Sequence, residues 1–544
     1  MSLRKHIFVF FFFTILLFGS IIRLGALETY PLGFHQDEVA NAYVGRFILD
    51  NGVDPYGNPW PLLFFDKHGD FPPVIPMYLS GLGTYFFGFS MTGARIVGAL
   101  FGVMALPLMY AFTRLVYKNN FTALVAMGAL TISPWHISFS RMSTEGTIAL
   151  TTFLAGLTLL LHSLRAKRFA LILNIGAGAL LALTYLLYPS YRLSVPIVAL
   201  GLWVVKRRKA RANWLLVLSV SLIMLTGAIA LTPWGSGRLE QTSIMHNLQQ
   251  STIPTLAASD PNPITARLFN NKYLLSARVL AAQTLTYLNP TYLFVQSSSP
   301  PWFSTPQTGL LYMSFGVLGA IGIVQSVKKR KNRAGQFAPK LLLLLALAAL
   351  IPGVLTTDHT PHAHRVLLLI APLTLLAALG ATWLTQHKRI AVALMFAFIA
   401  EASLFGYNYL VQMNPATTIS RSQANLPLAQ YLAQNQSASS PMLVMTTGWM
   451  PVYYLYATGN TNPGLVGQIP RNFRAKSVDF VRFADADCPT PDTQAVLLEA
   501  MQMKGAKVVM SSSCENVPDE LQQVREITAA DTSTVYRIYG VAHQ

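Results

Sequence analysis

Apolar residues in this chain come in long runs separated by short polar stretches, and a spanning helix needs about 20 of them in a row. Such runs lie near 6–27, 73–90, 92–113, 121–139, 145–164, 169–187, 193–205, 213–232, 309–327, 341–355, 366–385 and 390–409. Each predicts a helix. Lys and Arg flanking spans favour the cytoplasmic side, so the basic loops test the topology. With the start of run 6–27 inside, the basic loop 114–120 requires 92–113 to run from outside to inside. Both ends of 73–90 are then outside, and its FPPVIP start is poor in regular helix because of its three prolines. We therefore expect about 11 spanning helices, with 73–90 as a re-entrant or interfacial helix on the outer face.

Three outer features follow: a loop at roughly 28–91, a second at roughly 233–308 with an amphipathic stretch around 264–285, and a polar tail after about 410. In the tail the pattern changes. Short apolar runs, MLVMT (442–446), AKVVM (506–510) and TVYRIY (534–539), alternate with helical stretches such as QAVLLEAMQMKG (494–505). That predicts a small α/β domain. The expected organisation is a transmembrane catalytic domain over 1–409 and an extracytoplasmic α/β domain over 410–544.

Composition agrees with the membrane class: of 544 residues, 52% are hydrophobic and 11% charged, where soluble domains carry roughly 25% charged residues. A net charge of +18 would point to nucleic acid in a soluble protein. Here 20 of the 40 Lys and Arg, and none of the acids, sit in loops such as RAKR (165–168), KRRKAR (206–211) and KKRKNR (328–333). The excess charge reports topology. Cys488 and Cys514 are the only cysteines; a disulfide and two separate thiols both stay open. The first apolar run lacks a small-residue cleavage site and is read as a retained anchor.

Seven of the twelve acids before residue 410 fall within 28–70. HQDE (35–38) and DKHGDFPP (66–73) stand out there; Asp50 and Asp54 are read as caps in a solvated loop. SPWHISFSRMSTEG (133–146) places Arg141 four residues before Glu145, either a structural ion pair or an anion contact oriented by the acid. TTDHTPHAHR (356–365) carries three histidines and Arg365; the spacing matches no strong metal signature, and Arg365 suits a phosphate clamp. Arg95 is a second candidate for that task. Glu401, within the last span, is a functional candidate by position or a cap. Acids and arginines at the edge of a helical bundle suit transfer of a group from a membrane-embedded phospholipid carrier to an acceptor hydroxyl or amine.

Asp37 and Glu38 after the first helix, Asp70 with Pro72 and Pro73, Arg95 opening a helix, and Ser133, Pro134, Arg141 and Glu145 occur in an order that resembles the GT-C superfold glycosyltransferases. Closest are the family 39 protein mannosyltransferases and the lipid A aminoarabinose transferases, over roughly 1–410. The resemblance implies a polyprenyl-phosphate sugar donor, an extracytoplasmic site, inversion at the anomeric carbon, and Asp37 as the catalytic acid residue of the first loop. Two departures stand: Phe71 occupies a position where members often have Lys, with Lys67 nearby as a substitute, and Glu145 stands where many have Asp.

The mechanism expected from this reading makes Asp37 the base, with Glu38 orienting the loop or pairing with a base such as Arg46. Arg365 with Arg141 or Arg95 holds the carrier phosphate. Lys67, Glu145 and His364 join the substrate contacts. Asp70 and His68 bind sugar hydroxyls or, with Asp37, a divalent metal such as Mg or Mn; the chemistry does not require the metal. Partners are the lipid-linked sugar, an acceptor glycan, lipid or protein, and the membrane. The expected location is a bacterial inner membrane, in cell-envelope or protein glycosylation. Alternatives are a glycan ligase using a diphosphate carrier, a transporter, and a non-catalytic receptor. A transporter would keep ionisable groups near the bilayer midplane, whereas these acids sit at the edge.

Overall fold

The computed structural model describes the chain apart from residues 1, 68, 167, 207–212, 233–242, 245–261, 298, 329–335, 447, 468, 471–475 and 542–544. His68, much of the expected second outer loop and parts of two basic loops lie outside the described residues. By contact the chain divides into two compact units. One holds Met1–Gly25, Gly69–Pro73 and Gly98–Asn408, and the other Ala26–His68, Val74–Val97 and Tyr409–Gln544. The tail after 410 is therefore grouped with most of the first loop, which the expected organisation had placed with the spans.

The first unit is helical. Its elements begin with α1 (Ser2–Leu24), followed, after two helices of the first loop, α2 (Gln36–Asn51) and α3 (Ile75–Phe87), by α4 (Met91–Tyr117), α5 (Asn120–Thr131), α6 (Pro134–Ser140), α7 (Glu145–Ser163), α8 (Ala170–Leu187), α9 (Tyr191–Lys206) and α10 (Asn213–Ala230). It continues with Pro263–Phe269 and Lys272–Tyr287, over the expected amphipathic stretch, and with Met313–Lys328, Phe337–Val354, Ile370–Leu384 and Lys388–Tyr407. Among the described residues eight helices are long and apolar enough to cross a membrane, and α5 with α6, bent by 59°, makes a ninth. The other two expected spans, α9 and Met313–Lys328, are helical but only 16 residues each. The expected 73–90 segment is the 13-residue α3. Apolar side chains of α1 are left uncovered by the protein: Phe10, Phe13, Leu17 and Ile21 are all exposed. Small residues permit close helix approach; a Cβ on Gly380 would run into the Leu318 carbonyl of the facing helix.

The second unit holds a six-stranded sheet of β1 (Met442–Met445), β2 (Ser477–Val478), β3 (Val481–Ala484), β4 (Lys507–Ser511), β5 (Leu521–Thr528) and β6 (Thr534–Val541), in the order β2-β3-β1-β4-β6-β5. β1 pairs in parallel with β3 and β4, and the outer pairings are antiparallel. Because side chains alternate along a strand, β1 feeds two cores. Met442 and Val444 pack with the helix Met450–Thr458 and with Phe34, Tyr43 and Phe47 of the first loop, whereas Leu443 and Met445 pack with Leu497 and Ala500 of the helix Pro491–Gln502. Loop and tail thus share one core. Polar ties reinforce it: Tyr453 donates its hydroxyl to the Phe34 carbonyl, Tyr43 to that of Asn460 at 2.9 Å, and Tyr456 to that of Ser90 at 2.7 Å. Cys488 and Cys514 are joined as a disulfide, their Cα atoms 5.4 Å apart.

Candidate active-site residues

In the second unit the chemistry gathers at the start of α2. His35 is the N-cap, its ring accepting from the Asp37 amide at 3.3 Å, and the Glu38 carboxylate accepts from the His35 amide at 3.4 Å. This reciprocal arrangement satisfies helix-end donors that would otherwise be orphaned. Acids in a first turn also suit the helix dipole. The two adjacent acids then diverge.

Glu38 points inward and is 2% exposed. Arg95, fully buried, meets it end-on, Nε to Oε1 at 2.9 Å and Nη2 to Oε2 at 3.0 Å. The remaining Arg95 donors go to the carbonyls of Leu27 at 2.9 Å, Pro31 at 2.8 Å and Gly33. All five guanidinium N–H groups are thereby used. Arg95 consequently has none left for a phosphate, which corrects the expected clamp role. Glu38 pairs with Arg95 rather than with Arg46; Arg46 pairs with Asp50 at 2.9 Å. Arg421 is buried in the same unit, where burial, offset by the nearby Glu38 and reinforced by Arg95, brings its pKa down to about 10.

Asp37 points outward, 47% exposed, and its carboxylate takes a hydrogen bond from the Lys67 ammonium. The His35 Nδ1 lies 3.4 Å from its other oxygen. Burial acts to raise its pKa, but a side chain so open to water keeps most of its hydration. The attraction of Lys67 and His35 prevails and holds the carboxyl well below its ordinary value. Lys67 is itself sheltered and lies 4.7 Å over the ring of Trp449, a tail residue. Lys67 already neutralises Asp37. Among the described residues no group of three His, Cys, Asp or Glu is placed to hold one. Of the remaining acids, Glu28 caps α4 by accepting from the Thr92 amide at 2.8 Å, and Asp54 closes a turn by accepting from Tyr56 and Asn58, both at 2.9 Å.

The first unit carries the other expected residues. Asp70 belongs to its short segment Gly69–Pro73. Arg141 follows α6, is buried, and donates to the Ile22 carbonyl of α1. Arg23 answers in the opposite sense: it donates to the Leu130 and Thr131 carbonyls ending α5, at 3.0 and 3.1 Å, and meets His136 Nδ1 at 2.8 Å. A guanidinium on helix-end carbonyls supplies the donors that a break in a helix leaves missing. Glu145 opens α7, with His364 Nε2 at 3.9 Å. The His364 ring stacks on Tyr188, centroids 4.2 Å apart, and packs against Phe139 and Phe303. Burial pushes the Tyr188 hydroxyl up, with Arg365 pulling the other way and Glu145 adding to the rise. Arg365 donates from Nη1 to Thr356 Oγ1 at 2.9 Å and the Asp358 carbonyl at 2.6 Å, and from Nη2 to the Asp358 carboxylate at 2.9 Å. Its Nε and one Nη2 hydrogen have no acceptor among the described residues. Glu401 accepts from the Ser314 amide at 3.1 Å and hydroxyl at 2.6 Å, capping the helix Met313–Lys328.

Residues 70–234 match the family model of the dolichyl-phosphate-mannose-protein mannosyltransferases. The resemblance read from the residues is thus met over a stretch that contains Asp70, Arg95, Arg141 and Glu145 and excludes Asp37, Lys67 and Arg365. No curated protein matches the chain. Similar solved structures include ArnT from Cupriavidus metallidurans bound to undecaprenyl phosphate, at 14% identity over 97% of each chain with a TM-score of 0.43. The Archaeoglobus fulgidus oligosaccharyltransferase complex with Zn and sulfate is another, at 12% identity over 91% of this chain and 68% of that one, with a TM-score of 0.46.

Reasoning from sequence missed Arg23, Asp358, Arg421, Tyr188 and Trp449. Arg23 carried a usable signal, a lone charge inside an apolar run. Asp358 stood inside a motif already singled out. Arg421, Tyr188 and Trp449 acquire their significance only from long-range packing.

Proposed function

We propose that this multi-pass membrane protein is an inverting glycosyltransferase that moves a sugar from a polyprenyl-phosphate donor to an acceptor on the extracytoplasmic face of a bacterial inner membrane. The observation that carries the reading is the state of Asp37: an ionised, half-open carboxylate on a helix start whose neighbour is locked in place by Arg95. The family match over 70–234 supports the reaction class. The basic loops support the orientation, and the Cys488–Cys514 disulfide supports an oxidising compartment for the tail.

In the proposed reaction the acceptor oxygen attacks the anomeric carbon from the face opposite the carrier phosphate. The bond from that carbon to the phosphate oxygen breaks, and its electron pair leaves with the phosphate. Asp37 takes the acceptor proton. A single displacement inverts the anomeric centre. Cations stabilise the charge growing on the leaving group. Arg365 is assigned that role, because its guanidinium keeps free donors. Arg141, whose donation to Ile22 ties it to α1, and Lys67, once released from Asp37, are assigned supporting roles. Glu145 and His364 are assigned to sugar or donor contacts, with Asp70 on sugar hydroxyls.

Transfer from radiolabelled polyprenyl-phosphate sugars by the purified protein tests this. Asp37→Asn is expected to lower turnover by about 10²–10⁴-fold with donor binding retained. Wild-type turnover in that variant would refute the role of Asp37. Consumption of diphosphate-linked donors alone would favour a glycan ligase.

A further inference from the structure

The tail contains a cavity of about 380 Å³ whose lining includes Thr446, Pro451, Lys476, Arg482, Asp485 and Val496. That volume falls in the range of small-ligand sites. Its position follows from sheet topology. β1 and β3 are parallel neighbours, and the Thr446 amide extends their ladder to the Ala484 carbonyl at 3.0 Å. Beyond β1 the chain turns to the helix Met450–Thr458 on one face of the sheet, and beyond β3 it turns to the helix Pro491–Gln502 on the other. Two adjacent parallel strands whose following connections diverge to opposite faces open a crevice at their carboxyl ends. Ligands of α/β sheets bind in such crevices.

We propose that this crevice binds a saccharide carrying an anionic group, a phosphate or a carboxylate. The lining decides the class. Arg482 is held by Glu499 at 2.7 Å. Lys476 is exposed, and among the described residues its ammonium has no acidic partner, so it is open to an anion, with Arg482, which gives Glu499 a single Nη1 bond, beside it. Asp485 can accept from sugar hydroxyls. The Thr446 hydroxyl accepts from the Gly448 amide at 3.2 Å and keeps a donor and a second lone pair. Pro451 and Val496 offer apolar wall to the C–H face of a ring. A nucleotide is the weaker fit, because its phosphates want a glycine-rich turn after the first strand. The stretch after β1 reads TTGWMP, with the single Gly448.

Binding is read directly, so the test is independent of the transfer reaction. The full chain, purified in detergent, is titrated with glucose 6-phosphate, glucuronic acid, glucose and inorganic phosphate, and binding is followed by isothermal titration calorimetry. Saturable binding of the two anionic sugars is expected, with glucose and phosphate each at least about tenfold weaker, the scale of one charge-assisted hydrogen bond. Lys476→Met is expected to weaken the anionic sugars about tenfold and leave glucose unchanged. Asp485→Asn should weaken all three sugars and spare phosphate, and thermal unfolding checks that both variants fold. Absence of saturable binding overturns the proposal. So does equal binding by wild type and both variants, which would locate the ligand elsewhere. Phosphate binding as tightly as glucose 6-phosphate would reduce the crevice to an anion site and overturn the saccharide assignment.

Discussion

Two arginine–carboxylate pairs, one in each compact unit, show how the same chemistry serves different ends. Arg95 and Glu38 are buried, and every guanidinium donor is used. Arg365 and Asp358 are 11% and 45% exposed, and the arginine retains donors. A closed pair has nothing to offer a substrate, and its work is to hold the chain that frames Asp37. An open pair can exchange its partner for another anion. Arginine in a motif is thus ambiguous until its donors have been counted. The acids teach the same lesson one residue apart: Glu38 is spent on structure and Asp37 is open to chemistry.

The comparison breaks first at the closed pair. Arg95→Met leaves Glu38 buried without its cation, a loss of about 3–5 kcal/mol, and thermal unfolding in detergent should show it. Glu38→Met with Arg95→Met together should recover part of that, because two apolar side chains carry no desolvation cost of a buried charge. If the single variant unfolds like wild type, the closed pair is not what holds the loop. The open pair should respond differently. Arg365→Met is expected to raise the donor KM by about 10–100-fold, the worth of a charged hydrogen bond, with little change in unfolding temperature. A variant that instead unfolds early would make Arg365 a structural residue like Arg95.

The smallest effect concerns pH. Lys67 and His35 hold the Asp37 carboxyl below the ordinary value of about 3.9. A lowered carboxyl pKa contributes stability above the unfolded value and loses it as pH falls through the folded one. Asp37 is half open, so that contribution is small. Activity reads it better: with Asp37 as the proposed base, it stays ionised at neutral pH, and the acid limb of kcat/KM is expected below the ordinary carboxyl value of about 3.9. Lys67→Met should move that limb upward. An unmoved limb would separate Lys67 from the titration of Asp37.

Much of the fold was legible in the chain. Each expected span is helical, and β1, β4 and β6 fall on the three apolar runs of the tail; β1 and the centre of β4 are buried on both faces, which leaves a continuous hydrophobic signal. β5 was missed: its LQQVREIT is exposed through its middle, as an edge strand allows. The kink after Thr131 was missed as well, since a span broken and recapped by Arg23 looks continuous in hydropathy. Among candidate site residues, Asp37 stood out because acids beside hydrocarbon are costly and sparse. Arg95 looked like a second, weaker candidate beside Arg365 because both open or precede apolar helices.

The sequence by itself determined the membrane class, the alternation of spans and basic loops, and the α/β character of the tail, since each follows from local hydropathy and period. Tertiary structure alone decided that first loop and tail share a core, that Glu38 takes Arg95 rather than Arg46, and that Cys488 meets Cys514. Those outcomes depend on which distant groups compete for the same buried space and the same donors. A carboxylate eight residues from one arginine and 57 from another goes to the one that can desolvate with it; separation along the chain carries no record of that choice.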